Sequence, residues 1–222
     1  MESSPASLIA AITSHSRFAL WADIVQAVSA RRVLEIGVFK GEFAEYVLRQ
    51  CTMIDTYFML DPWRHLDDWK KPANKPNEEF EAIYAQAMAR TEFARNCVKV
   101  LRGTTTEVIN TVEDASIDLA YIDGDHTLRG ITIDLLRTFT KIRPGGILGG
   151  DDFRPDIWHH GANFEPTLVF QSAINFAEAV GCPIVALPFG QFAIVRDMSG
   201  FRLISPHKEC RRSGLIETSR PL

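Results

Sequence analysis

The chain has 222 residues, 46% of them hydrophobic and 23% charged, with a formal net charge of -4. That length and balance suit one sizeable globular domain with room for an insertion or a tail. The mild acidity gives no support to a general nucleic-acid binder, which carries a basic surplus.

Cys51, Cys97, Cys182 and Cys210 are far apart and form no C-x-x-C. They read as free thiols in a reducing compartment, not as a zinc knuckle or a disulfide framework. The opening MESSPASLIAAITSHSRF has no basic segment leading into a long apolar core. No run approaches the roughly 18 apolar residues of a membrane span. The expectation is a cytoplasmic protein with neither membrane nor nucleic-acid partners.

FALWADIVQAVSA carries apolar residues at helical spacing, within an N-terminal helical segment, 1–30. RRVLEIGVF is a short β-branched run, the first strand. GEFAEYVLRQC returns to helical spacing, and MIDTYFMLD is the second strand. PWRHLDDWKKPANKP then breaks the pattern with three prolines and two tryptophans, an irregular, lid-like insertion over 62–76. Trp63, His65, Trp69, Lys70 and Lys71 of that insertion either roof a site or anchor the loop to the helix that follows. NEEFEAIYAQAMARTEFARN is that helix. CVKVLRG is the third strand, TTTEVINTVED a helix, and SIDLAYID the fourth strand. TLRGITIDLLRTFTKI is a helix ended by RPGG, GILGGDD the fifth strand, and FRPDIWHHGANFEP a loop. TLVFQSAINFAEAV is the last helix. CPIVALP and QFAIVRD form a hairpin across FG, and 198–222 reads as a loose polar tail.

Strands and helices alternate at least five times, which argues a parallel sheet covered on both faces. Right-handed crossovers place the strand C-termini on one edge, where open sheets of this kind bind ligands. Polar groups accumulate there. The first strand delivers Gly37 and Gly41, the second Asp61, and the third Gly103, Thr104 and Thr105. The fourth delivers Asp123, Asp125 and His126, and the fifth Asp151 and Asp152.

Gly37 and Gly41 are spaced G-x-x-x-G, unlike the dinucleotide G-x-G-x-x-G. A loop of this kind lets a ligand approach the backbone and offers the N–H groups of the next helix. Asp61 ends an apolar strand, placed to accept hydrogen bonds from ribose hydroxyls. The pocket therefore suits a nucleoside without a diphosphate. Asp123, Asp151 and Asp152 converge from neighbouring strand ends and would repel one another. Arg129 and Arg154 lie in the loops beside them, but a hard divalent cation is the simpler neutraliser.

Together VLEIGVFKG, LDPW, LRGTTTEV, YIDGDH and RPGGILGGDD resemble the class I S-adenosylmethionine-dependent methyltransferases. The resemblance covers 31–197 and is strongest to the metal-dependent O-methyltransferases, the macrocin O-methyltransferase-like enzymes of methyltransferase family 24. It implies a Rossmann-like three-layer α/β sandwich with a seven-stranded, mostly parallel sheet whose last strand is antiparallel. It implies S-adenosylmethionine held by Glu35, Gly37, Gly41 and Asp61, with Thr104 or Thr105 near the adenine. It also implies Mg²⁺ or a similar ion on Asp123, Asp151 and Asp152. The acceptor would be a small hydroxylated molecule, a sugar or polyol moiety favoured. A metal-bound hydroxyl would be deprotonated by Asp125, at the position proposed as base in the sugar-methylating relatives, with His126 as the rival base.

The sequence departs from the general pattern at Val38, Phe39 and Lys40 of the first loop and in the 62–76 insertion. His159 and His160 are read as acceptor-pocket or loop residues, with metal ligation the lesser reading. A metabolite-binding protein without transfer, and a metal-dependent hydrolase or hydroxylase-like relative, remain as alternatives. Association into a homo-oligomer is left open.

Overall fold

The computed structural model describes residues 5–160 and 163–205. Cys210 and the rest of the expected tail from 206 onward lie outside the described residues. In chain order the elements are α1 (Pro5–Ala10), α2 (Arg17–Ala27), β1 (Arg32–Ile36), α3 (Glu42–Gln50), β2 (Thr56–Asp61), α4 (Asn77–Thr91), β3 (Val98–Arg102), α5 (Thr105–Val108), β4 (Ile117–Ile122), α6 (Leu128–Phe139), β5 (Ile142–Gly150), α7 (Val169–Ala179), β6 (Pro183–Leu187), β7 (Gln191–Val195) and β8 (Arg202–Ile204).

The strands form one sheet in the order β3-β2-β1-β4-β5-β7-β6-β8. Pairing is parallel from β3 through β5, and β7 runs antiparallel to both β5 and β6. The fold class is therefore the expected α/β sandwich with an antiparallel β7. The sheet has eight strands, not seven, because Arg202–Ile204 in the expected tail pairs parallel with β6. A second difference lies in β5. It starts at Ile142, so RPGG is part of the strand and not a stop after the helix, and its register with β4 shifts between Ile117 and Leu119.

Side chains of successive strand residues point to opposite faces. Val33, Tyr57, Met59, Leu119, Tyr121 and Ile147 lie in the core shared with α2, α3 and α4. Leu34, Leu60, Ala120, Ile122, Leu148 and Ile194 lie in the core shared with α6 and α7. A sheet buried on both faces needs apolar residues at nearly every position, which is why these strands read as continuous apolar runs.

Helix α2 is seated by Trp21. Its ring lies edge-on to Tyr121, with centroids 5.0 Å apart, and its Nε1–H donates to Gln191 Oε1 at 2.9 Å. The Tyr121 hydroxyl donates to the same oxygen at 3.2 Å. Gly149 makes room for the indole, since a Cβ there would sit 2.2 Å from Trp21 Cη2 and 2.4 Å from the Phe192 carbonyl oxygen. Gly149→Ala is expected to cost about 1–3 kcal/mol by overpacking. Urea denaturation checks this: the midpoint should fall at unchanged slope, and a midpoint equal to wild type contradicts the packing described.

Candidate functional site

The reversal of strand order beside β1 opens a crevice at the C-terminal edge of the sheet, where open α/β folds place ligands. A cavity of about 850 Å³ occupies it, lined by Glu35, Gly37, Asp61, Thr104, Thr105, Asp123, Asp125, His126, Asp151 and Asp152 among others. That volume is at the upper end of small-molecule sites and has room for two reactants. Of the residues singled out from sequence, Gly41 is not on the lining. It has φ +76° at the start of α3, and a Cβ there would press on Ala87 of α4 at 3.0 Å.

Gly37 joins the two sides of the crevice. Its φ is +87°, and a Cβ would fall 2.1 Å from the Asp123 carbonyl oxygen. The Asp123 N–H donates to the Ile36 carbonyl at 2.7 Å. No residue with a side chain fits this crossing.

On the β2 side, Asp61 accepts from the Phe39 N–H at 2.9 Å and the Trp63 N–H at 2.7 Å. The carboxylate thus ties the first loop to the insertion while lining the cavity. Burial raises its pKa against the backbone donors of Phe39, Trp63 and Val38. Glu35 is 1% exposed and accepts from the Tyr57 hydroxyl at 2.7 Å. Burial lifts its carboxyl to about 8, against the Tyr57 hydrogen bond and with help from Asp123 and Asp61. After β3, the Thr104 N–H donates to Glu107 Oε2 at 2.8 Å, and the Thr105 hydroxyl donates to Asp134 Oδ1 at 2.5 Å.

On the β4–β5 side the acids are paired. Arg17 Nη1 contacts Asp123 Oδ2 at 3.2 Å and also Asp151 Oδ2. Asp151 Oδ1 accepts from Gln191 Nε2 and from the Asp152 N–H. Asp152 Oδ2 lies 2.7 Å from His126 Nδ1, and its Oδ1 is 3.5 Å from His159 Nδ1. Burial pushes the Asp152 carboxyl up, but the His126 hydrogen bond and charge, with the charges of His159 and His160, outweigh it and bring it down to about 2. Burial pulls the His126 pKa down, yet the Asp152 hydrogen bond and the charges of Asp123 and Asp152 leave it raised. His126 Nε2 is buried with no hydrogen-bond partner among the described residues. It lies 3.8 Å from Asp123 Oδ1.

The expected Mg²⁺ triad differs from this arrangement. Asp123 and Asp151 share one guanidinium, and Asp152 faces the His126 and His159 imidazoles, so each carboxylate already has a partner. Among the described residues no group of three or more His, Cys, Asp or Glu side chains is arranged to hold a metal ion. The donor set does not fit a resident divalent ion while these pairs stand.

Asp125, the expected base, has its Oδ1 engaged by Trp69 Nε1–H at 3.0 Å and the Thr127 N–H at 2.9 Å. Its carboxyl packs against Gly130, where a Cβ would lie 2.1 Å from Asp125 Cγ. It pins the insertion to the start of α6. The insertion is also pinned by Lys71, whose Nζ donates to the Glu165 carbonyl at 2.8 Å, the Pro166 carbonyl at 3.1 Å and Thr167 Oγ1 at 3.2 Å. Trp63 is buried and packs on Tyr84 of α4 at 5.1 Å. Trp63 thus takes the anchoring role and Trp69 the roofing role. His160 lines the cavity, and His65 does not.

Among the lining residues that the sequence reading did not single out are Arg17 and Asp134. Arg17 sits in the first turn of α2, where a cation opposes the helix dipole, and that misfit was the available signal. Asp134 is a buried acid on the apolar face of α6, bonded to Thr105 and raised to about 7 chiefly by burial. An acid among Ile131 and Leu135 was its signal.

A family model described as a methyltransferase domain matches residues 34–153, more than half of the chain. A curated relative, the uncharacterized protein y4gI of Sinorhizobium fredii, is 28% identical over 138 residues, covering 60% of this chain. The chain spans only 14% of the length of that relative. Among solved structures, a candidate caffeoyl-CoA O-methyltransferase from Staphylococcus aureus aligns with a TM-score of 0.61 at 15% identity, covering 83% of this chain and 84% of that one. The O-methyltransferase TomG of Streptomyces achromogenes, involved in tomaymycin synthesis and solved with SAM, aligns at 0.56 and 17% identity over 85% of this chain and 82% of its own. At these identities the structural likeness speaks for the fold.

Glu35 generates a pH prediction. The folded state keeps its carboxyl protonated up to about 8, against 4.5 for an ordinary glutamate. Its contribution to stability is full below the ordinary value and is lost as pH rises through the folded one. Glu35→Gln should flatten the decline in stability between these pH values. Urea midpoints measured across that range check it, and an unchanged slope contradicts a protonated Glu35.

Proposed function

The chain belongs to this methyltransferase-domain family, and from that premise we propose that it is an S-adenosylmethionine-dependent O-methyltransferase for a hydroxyl of a small sugar or polyol-like molecule. When bound, S-adenosylmethionine supplies a methyl group on a sulfonium, which leaves as a neutral thioether. Asp61 and Glu35, with Thr104 and Thr105, fit the cofactor side, since they line the cavity from the ends of β1, β2 and β3. Asp61 keeps acceptor capacity for ribose hydroxyls while it holds the loop, because each carboxylate oxygen has two lone-pair sites.

The observation that carries the transfer reading is the His126–Asp152 pair on the opposite wall. Asp152 fixes His126 Nδ1, and Nε2 is left without a partner inside the cavity wall. A carboxylate-oriented imidazole with one free nitrogen suits a general base. His126 Nε2 would take the proton of an acceptor hydroxyl during transfer, with the adjoining Asp123 and Asp152 stabilising the imidazolium. We assign the base to His126 in preference to Asp125, whose Oδ1 is occupied in holding Trp69 and Thr127. Trp69 offers an aromatic face, and Asp68, Asp125 and Arg129 offer hydrogen-bonding groups around it, a lining suited to a hydroxyl-rich acceptor. The free thiols Cys51, Cys97 and Cys182 support placement in the reducing cytoplasm.

Transfer of a labelled methyl group from S-adenosylmethionine to a panel of sugars, diols and phenols tests this function. Sugars or diols should be methylated. His126→Ala should lower kcat by about 10²–10⁴ with little change in the KM for S-adenosylmethionine. Full activity in that variant places the base elsewhere. Cofactor binding with no transfer to any acceptor favours a binding protein on the same fold.

A further inference from the structure

The acid cluster at the ends of β4 and β5 has a neutraliser that comes from outside the sheet. Arg17 Nη1 reaches Asp123 and Asp151 together. One nitrogen between two carboxylates of adjacent strands stands where a bridging cation would stand. The arrangement is held from behind. Ser16 caps α2 by accepting from the Ala19 N–H at 3.2 Å, Trp21 bonds Gln191 at 2.9 Å, and Gln191 bonds Asp151. The helix and the carboxylate that its arginine meets are thus fixed to the same buried glutamine. The Arg17 side chain lines the cavity and is 34% exposed. An arginine in the first turn opposes the helix dipole, and the two carboxylates offset that.

We propose that Arg17 is the built-in cation of this site, occupying the place between Asp123 and Asp151 that a divalent ion would take and keeping the wild-type site closed to metal. The proposal rests on the geometry of the acid cluster and holds whether or not the methyl-transfer reading is right. Under that reading, the negative charge that builds on the acceptor oxygen meets a guanidinium, and turnover needs no added divalent ion. Arginine suits the task because it stays charged and is more weakly hydrated than an ammonium.

The test is titration of Mn²⁺ into the full chain, free Mn²⁺ being read by its electron paramagnetic resonance signal and folding by circular dichroism. The wild type and Arg17→Lys, which keeps the charge, should leave Mn²⁺ free. Arg17→Met should bind Mn²⁺ at least about tenfold more tightly, with oxygen ligands from the released carboxylates, and Asp151→Asn in that background should abolish the gain. Arg17→Gln replaces the methionine variant if the latter does not fold. Wild-type binding as tight as that of the variant overturns the proposal. Absence of binding in folded variants that lack the arginine overturns it too, since Arg17 would then hold no cation's place. Methyl transfer that survives chelation is a separate readout, so loss of transfer with unchanged Mn²⁺ behaviour counts against the function and not against Arg17.

Discussion

A parallel sheet delivers the residues after its strands to one edge, and here that edge receives aspartates from β2, β4 and β5. Carboxylates gathered in a half-buried crevice cannot stand unpaired. The structure meets this constraint with donors brought from a distance in sequence. Asp61 is held by backbone N–H groups, Asp123 and Asp151 by Arg17, and Asp152 by His126. Much of the rest follows from that. Helix α2 must lie where Arg17 reaches the edge, Gly149 must leave space for Trp21, and Gln191 on β7 must lie under Asp151.

The same groups serve both architecture and chemistry. Asp61 stands where the proposed cofactor's ribose would lie, and by contact it is a clasp between the first loop and the insertion. Asp125 anchors Trp69, so the roof of the cavity is tied to the start of α6. Asp152 orients an imidazole whose second nitrogen is free. Breaking a buried ion pair by removing one partner strands the other charge, commonly at several kcal/mol, so these residues are constrained by stability as well as by any reaction.

The sheet, the helices on both faces and the ligand edge were legible from periodicity and from the polar residues after each strand. The antiparallel β7 was legible from the short FG turn together with the family resemblance. Other features were not. The extension of β5 through RPGG depends on a register shift against β4, and the proline and glycines read locally as a turn. Strand β8 is three residues long and is made by its partner β6. At the site, sequence showed that the acids follow the strand ends but not what neutralises them. Arg17 is 106 residues from Asp123 and 134 from Asp151, and no local pattern links them. The Asp152–His126 pair spans 26 residues. Asp125 and His126 are neighbours in sequence, yet one turns to Trp69 and the other to Asp152, a division that only the tertiary structure makes.

The proposed function stands on S-adenosylmethionine binding in the crevice at the C-terminal edge. Calorimetric titration of S-adenosylmethionine into the purified wild-type chain tests it most directly. Saturable binding of one cofactor per chain is expected, weakened by Asp61→Ala by about tenfold or more, the equivalent of ~1.4 kcal/mol. No binding to the wild type, with or without a divalent ion, would contradict it and leave the paired carboxylates to serve another chemistry.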